Sequence, residues 1–463
     1  IPGLTPTPFT EDVSLTAGGV APVAMPSAGQ VASATGTTDK GVHVESTVPV
    51  SVYYANSKAY ASTGYLGFPT DSLGTRYRTL SYTAGVSGEP SYTMVVGTED
   101  GTSVDLTPPG GSPTNVTLNR GQTYVSALGD GEDPTGTVVV ADKPVAVFGG
   151  NSCARVPVSE GACNPIVQQL PPTDAWGSRF LSVRLAQRAK GDTYRVLADN
   201  DNTEVTVDGA VVGTLNAGEF WEGVLPASAT TEGKQGTAIS TSKAALVAQY
   251  GNGTSFDGSN GDPLMMVIPP YQQFLSNYLF ALPDVASMST FYINLVVPET
   301  ALSTIRLNGS PIAASEFEPI GTSGYSGAQL SVAAGVYALS APEPFGVNVY
   351  EWGQTDGLGF PGGMSMAPVG KAAAVTLSSA GTAVGKPGAD NPPCAVAVVV
   401  DVNGDPVSGI PVQFAVTGAG GSNQVVTAIT DSEGKATACF TSSVEAEGTL
   451  TVTAGLQTAT GTV

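Results

Sequence analysis

One pattern recurs along this chain and constrains its architecture more than any other feature. GVHVESTVPVSVYYANS begins at Gly41, and versions of it return as GTVVVADKPVAVFGGNS at Gly136, GTAISTSKAALVAQYGNG at Gly236 and GVYALSAPEPFGVNVYEWG at Gly335. Each copy is a strand-like run, a short polar corner and a second strand-like run with an aromatic near its end: Tyr53, Phe148, Tyr250 and Tyr350. Aromatic-led strand pairs keep the same step, at Tyr92, Tyr194 and Phe291. A period of roughly 100 residues is too long for a solenoid of small repeats and suits tandem β-sandwich modules, each with its own core.

The spacing predicts an all-β chain. An incomplete half-module occupies residues 1–57, and full sandwich modules occupy 58–165, 166–265 and 266–365. A Gly-rich linker near residue 365, spanning 362–374, leads to an immunoglobulin-like sandwich over 370–463, where alternating strands are separated by Asn-Gly-Asp, Gly-Ala-Gly-Gly and Ser-Glu-Gly turns. Abundant Gly (58) and Pro (34) supply the turns that many short strands need. No long stretch carries apolar residues at helical spacing. The half-module lacks the aromatic-led strand pair that opens each later copy, so its strand edges need partners. These come from another module of the same chain or from a neighbouring subunit that donates a strand.

Charge excludes whole classes of partner. With 18 basic residues against 39 acidic ones and a net charge of −21, the chain lacks the cations that neutralise phosphates or anionic lipid. Neither a nucleic-acid partner nor a transmembrane segment is expected, since no apolar run reaches 18 residues. The opening IPGLTPTPF carries no signal-peptide pattern and reads as a mature or processed start.

Four cysteines fall into two pairs, Cys153 with Cys163 and Cys394 with Cys439. An even count in a strand-rich chain reads as two disulfides made in an oxidising compartment; the spacing lacks the CxxC pattern of a zinc site. No catalytic residue, metal site or cofactor is expected. The one histidine, His43, sits in a strand-like run and reads as a strand residue. No local pattern marks a glycosidase carboxylate pair. The acidic stretches 198–204 (ADNDNTE) and 129–133 (GDGED) offer oxygens of the type calcium takes, yet Asp199, Asn200 and Asp201 also suit an ordinary turn. Trp176, Trp221 and Trp352 read as core residues in preference to a sugar-binding face.

Two resemblances add to this reading. The segments VVVDVNGDPVSGIPVQFAV (398–416), AITDSEGKATACFTS (428–442) and GTLTVTAG (448–455) resemble the bacterial immunoglobulin-like repeats of invasin and intimin. That resemblance implies a rigid spacer or presenter at a cell surface. Cys394 and Cys439 stand outside its pattern and are expected on opposite sheets, bridged across the core. Residues of about 35–355 resemble the N-terminal domain family of the IgG Fc-binding protein. The segments that carry this are KGVHVESTVPVSVYYAN, GYLGFPTDSLGTRY, KPVAVFGGNSCARVP, CNPIVQQLPPTDAWGSRF and KGDTYRVLADNDNTEVTVDG. The expected function is a non-enzymatic extracellular or cell-surface structural and adhesive protein, most specifically a filament or coat subunit that self-associates head-to-tail through β-strand contacts. The alternative is an adhesin whose partner is a host glycoprotein, glycan or immunoglobulin.

Overall fold

Each recurring segment ends in a strand that pairs with the short strand following it. In the computed structural model the four pairs are β1 (Val52–Asn56) and β2 (Thr63–Gly67), β3 (Val145–Ala154) and β4 (Asn164–Leu170), β5 (Gly236–Gly251) and β6 (Leu264–Ile268), and β7 (Gly335–Gly353) and β8 (Gly357–Pro361). All four pair antiparallel. Val, Ile, Tyr and Thr favour this half-buried pleated geometry. Three of the short strands run into the same stop: a proline, then one turn of 3-10 helix, at Thr70–Ser72, Thr173–Ala175 and Tyr271–Gln273. Proline fixes φ and has no N–H to extend a ladder. The structure describes residues 1, 4, 8–56, 58, 60–225, 236–285 and 287–366. Beyond these it describes 374–377, 384–385, 394–400, 404, 406–407, 410–417, 424–431, 433–441, 448–454 and 457–462. Residues 367–373 of the linker and the turn at 418–421 lie outside the described residues.

The chain is all-β apart from short helical turns, and it divides into two compact units, Ile1–Met366 and Ala367–Val463. Within the first unit, β5 and β7 are single strands whose two halves pair with different strands of their repeat. The lower half of β5 pairs with Gly177–Val183 and Thr203–Val207, and its upper half with Asp192–Ala198 and β6. In the first full repeat the same path is split: Val138–Ala141 lies in one sheet, Asp142, Lys143 and Pro144 make the corner, and β3 lies in the other. The strand–corner–strand signature is therefore one chain segment crossing between sheets.

The modules do not keep separate cores. Tyr77, Val95, Val104 and Val147 from one repeat share a continuous buried cluster with Trp176, Leu197, Tyr250 and Met265 from the next. Leu185, Met266, Tyr292 and Trp352 join the second and third repeats in the same way. Hydrogen bonding also groups the strands differently from the sequence spacing. Cuts at 57/58, 165/166 and 265/266 would fall within the β1–β2, β3–β4 and β5–β6 hairpins. The aromatic landmarks mark the middle of a hairpin, which displaces a boundary read from the repeat alone.

The N-terminal segment differs most from expectation. Residues 41–47, GVHVEST, form no strand, and Val42 and Val44 are exposed. The corresponding strand Val138–Ala141 is flanked by Arg76–Arg78 and Thr102–Thr107. No such partners flank residues 41–47 among the described residues, and strand propensity without a ladder does not make a strand. Residues Gly36–Thr38 do pair, antiparallel with Thr123–Leu128 of the same chain.

The second unit packs two four-stranded sheets over Val375, Val399, Val412, Phe414, Phe440 and Val452. Cys394 and Cys439 are bonded, but they lie directly opposite each other on adjacent strands of one sheet, Cys394–Val400 and Lys435–Thr441. The bridge therefore does not cross the core. Ala436, Ala438 and Phe440 point inward, so strand alternation turns Cys439 to the outer face. Cys153 and Cys163 are bonded across the loop between β3 and β4, with Cα atoms 5.1 Å apart. Closing a loop of this length constrains the unfolded chain. Replacing Cys394 and Cys439 by Ser is expected to lower the stability of the second unit by about 4 kcal/mol. The first unit should be untouched. Denaturant unfolding followed separately for the two units reads this directly.

Candidate functional site

The short strands β2, β4, β6 and β8 meet around a common axis, with β2 beside β4 and β8, and β6 beside β4 and β8. Two side chains of β4 fill that axis. Asn164 donates from Nδ2 to the carbonyls of Ser62 (2.8 Å), Pro263 (3.0 Å) and Gly357 (2.9 Å). Gln168 donates from Nε2 to the carbonyls of Gly64 (2.7 Å), Met265 (2.7 Å) and Gly359 (3.1 Å). Each amide thus touches all three other strands, and both side chains are buried. An NH2 group has two hydrogens for three acceptors, so the bonds at each level are shared. The strands approach closely because glycine leaves room: a Cβ on Gly359 would lie 2.7 Å from Met266 Sδ.

Asp356 joins the ends of the ring. Its buried carboxylate accepts from the N–H of Tyr60 (3.1 Å), Ser62 (2.9 Å) and Gly357 (3.0 Å), and from the hydroxyls of Ser62 (2.8 Å) and Ser287 (2.6 Å). The four connecting loops bond in sequence at the same end. Gly253 N–H donates to Val156 O, Gly261 N–H to Gln354 O, and Tyr60 to Asp356. This end carries Tyr60, 73% exposed, and Val158, 46% exposed, the latter within the loop closed by Cys153–Cys163.

Buried arginines hold the seams between repeats. Arg195 pairs with Asp133 and Glu222, each at 2.7 Å, and lies over the rings of Tyr82 (4.0 Å) and Phe220 (4.3 Å). Although burial opposes its charge, Asp133, Tyr250 and Glu222 outweigh that and hold the guanidinium more firmly protonated than usual. A cleft of about 450 Å³ lies at this seam, lined by Pro109, Asp133, Thr135, Leu215, Gly218, Glu219 and Phe220. Arg188 lies over Trp352 at 4.1 Å, with Ser259 Oγ at 3.3 Å and Asp257 at 3.8 Å. Gly261 has φ +100°, and a Cβ there would come within 2.5 Å of both Arg188 and Trp352.

The remaining sequence candidates do not converge. His43 lies near the surface beside Arg120 (3.1 Å) and Glu45 (3.6 Å). Asp199 bonds Arg78 at 2.5 Å and Arg76 at 3.3 Å, and Asp201 accepts the N–H of Ala217. Asp130 accepts from Ser87 and from Gly88 N–H. These carboxylates are engaged with the chain's own donors, and no cluster of three or more His, Cys, Asp or Glu forms among the described residues. Trp176 and Trp352 are buried in the core, and Trp221 packs against it. Sequence reading missed Asn164, Gln168 and Asp356. The available signal was polarity inside an otherwise apolar run, NPIVQQL, where the sister strand reads LMMVI.

Two buried carboxyls give the first unit a pH dependence. Burial, and secondarily Asp284, pushes Glu351 up to about 9 from an ordinary 4.5, and neither carboxyl oxygen finds a hydrogen-bond partner among the described residues. Burial pushes Asp192 up to about 7, against the bonds from Leu185 N–H and Gln249. An acid whose folded pKa is raised is held protonated by the fold. The unfolded chain then releases its proton first, and stability falls as pH rises from the unfolded pKa to the folded one. Glu351→Gln should match the parent near pH 4 and exceed it at pH 8 by at least about 1 kcal/mol. Denaturant midpoints at the two pH values check this.

Two family models match the chain. Residues 63–351 match the family described as IgGFc binding protein, and residues 393–463 match a bacterial Ig-like domain (group 1). A human IgGFc-binding protein is 27% identical over 325 residues, covering 66% of this chain and 6% of the human protein's length. Among solved structures, a tetra-tandem repeat from the extending region of a large adhesion protein aligns over 80% of this chain and 92% of its own at 12% identity, with a TM-score of 0.21. A Ca2+-stabilised adhesin from an Antarctic bacterium aligns over 84% and 98% at 12% identity, with a TM-score of 0.13. The match over 63–351 takes in more than half of the sequence, and the chain belongs to the IgGFc binding protein family.

Proposed function

We propose that this chain is an extracellular, non-enzymatic adhesive protein. Its first unit presents the loop end of the four-hairpin ring to a protein or glycoprotein ligand, with immunoglobulin as the leading candidate. The observation that carries the reading is family membership over 63–351, which takes in three of the four short strands of the ring, β2, β4 and β6. The geometry supports it: the axis is filled by Asn164 and Gln168, and the loops are tied to one another, so the exposed Tyr60 and Val158 sit on a rigid base. Loops held by a rigid scaffold are where binding residues concentrate. Two disulfides suit an oxidising compartment, and among the described residues no helix is long and apolar enough to cross a membrane. The net charge of −21 turns nucleic acid and anionic lipid away.

A second reading, a filament or coat subunit that associates head-to-tail through strand contacts, draws on one feature. Val42, Val44, Val48 and Val50 recur at even-numbered positions of an N-terminal segment, each 39–63% exposed. Alternating apolar residues without strand partners are a template for pairing with another strand.

The test is binding of the purified chain to immobilised immunoglobulin Fc and to a panel of secreted glycoproteins, by surface plasmon resonance. Tyr60→Ala with Val158→Asp should weaken capture at least about tenfold, as loss of interface anchors does, without moving the melting temperature. Capture of none of these proteins at micromolar concentration, or capture indifferent to the loop variants, would contradict the adhesive reading.

A further inference from the structure

The hairpin β1–β2 is attached to the first unit in an unusual way. The other three short strands β4, β6 and β8 extend the sheets of their own repeats, whereas β1 and β2 form a two-stranded sheet of their own. Among the described residues, no backbone–backbone hydrogen bond of Val52–Gly67 reaches outside that span. All of its polar attachments run through side chains. Asp356 takes Tyr60 and Ser62, Asn164 takes Ser62 O, Gln168 takes Gly64 O, and Tyr53 donates its hydroxyl to Gly362 O at 2.7 Å. The apolar attachments are ring contacts: Tyr53 on Phe360 at 5.1 Å and Tyr65 on Phe148 at 5.1 Å.

The position it fills is a preformed socket. Four walls come from residues that the rest of the unit holds in place: β4, β8, the turn at Ser287 and the ring of Phe148. Leaving the socket empty would strip a buried carboxylate and two buried amides of their hairpin partners, and buried polar groups are normally paired. The socket is therefore filled, but nothing in its chemistry requires that the hairpin come from the same chain. Residues 68–75 link β2 to the next strand, Arg76–Arg78. Eight residues span up to about 26–29 Å when extended. A second copy carries the identical hairpin and makes identical contacts.

We propose that β1–β2 is an exchangeable plug, and that the surface formed by Asn164, Gln168, Asp356, Ser287 and Phe360 accepts the hairpin of a second copy of this chain. An exchange of identical elements creates a dimer without a new interface. Head-to-tail, it continues from copy to copy if it does not close into a ring. The proposal gives the self-association reading a structural element and is independent of which ligand the loop end binds.

Ser62 Oγ and Ser287 Oγ lie 3.3 Å apart across the socket wall, which makes them a reporter pair. The full-length chain is co-expressed as two differently tagged variants, Ser62→Cys and Ser287→Cys, and resolved on non-reducing gels. Exchange yields a covalent dimer carrying both tags, at least about tenfold above either variant expressed alone, because exchange places the two cysteines at high effective concentration. The double variant in one chain is the control, since its cysteines meet whether the hairpin fills the socket of its own chain or that of a second copy. A double variant that closes while the mixed singles stay monomeric would overturn the exchange. So would dimers equally abundant in a single variant alone. Neither result bears on Fc or glycoprotein capture, so failure of the plug and failure of the adhesive reading remain separable.

Discussion

Two side-chain amides hold the first unit together at its centre. Asn164 and Gln168 lie on one strand, β4, and their NH2 groups meet six carbonyls drawn from the three other strands around the axis. Four short strands brought side by side present polar backbone to a buried line where water has little room. Buried carbonyls without donors cost free energy comparable to a lost hydrogen bond. No backbone ladder runs around the axis among the described residues, where each short strand pairs only with its own hairpin partner. Amides from a single strand resolve that conflict at two levels, and they fix the register of all four strands relative to one another.

The seams between repeats follow a related logic. Only 18 of the residues are Lys or Arg, yet Arg78, Arg188 and Arg195 are buried. Arg195 is flanked by two carboxylates and two aromatic faces, a setting in which a guanidinium's planar fork is well matched. Removing one partner of such a group would leave the other charge buried and unpaired, so these contacts define where each repeat sits against the next. An acidic excess of this size repels phosphate-bearing partners.

Much of this was legible because it repeats. The strand–corner–strand signature marked the strand that enters each of the four hairpins, and the alternation in CAVAVVV and KATACFT marked the sandwich of the second unit. What escaped is what occurs once. Asn164 and Gln168 break the repeat, and a search for shared pattern passes over them. GVHVEST has the composition of a strand but none of the neighbours that make its later counterparts strands. Cys394 and Cys439, expected on opposite sheets, lie on adjacent strands of one sheet, and Ala438 and Phe440 carry the inward parity beside Cys439. In each case local propensity was sound and the missing information was the partner across the gap.

If the axial amides set the ring, their influence must reach strands far away in sequence. Asn164→Leu keeps the approximate volume of the side chain and removes the donor. Hydrogen–deuterium exchange of this variant, read by mass spectrometry across the first unit, tests the claim most directly. The account predicts that peptides covering β2, β6 and β8 lose protection together with β4, since one NH2 group serves the carbonyls of Ser62, Pro263 and Gly357. Loss of protection confined to β4, with the other three strands unchanged, would contradict it.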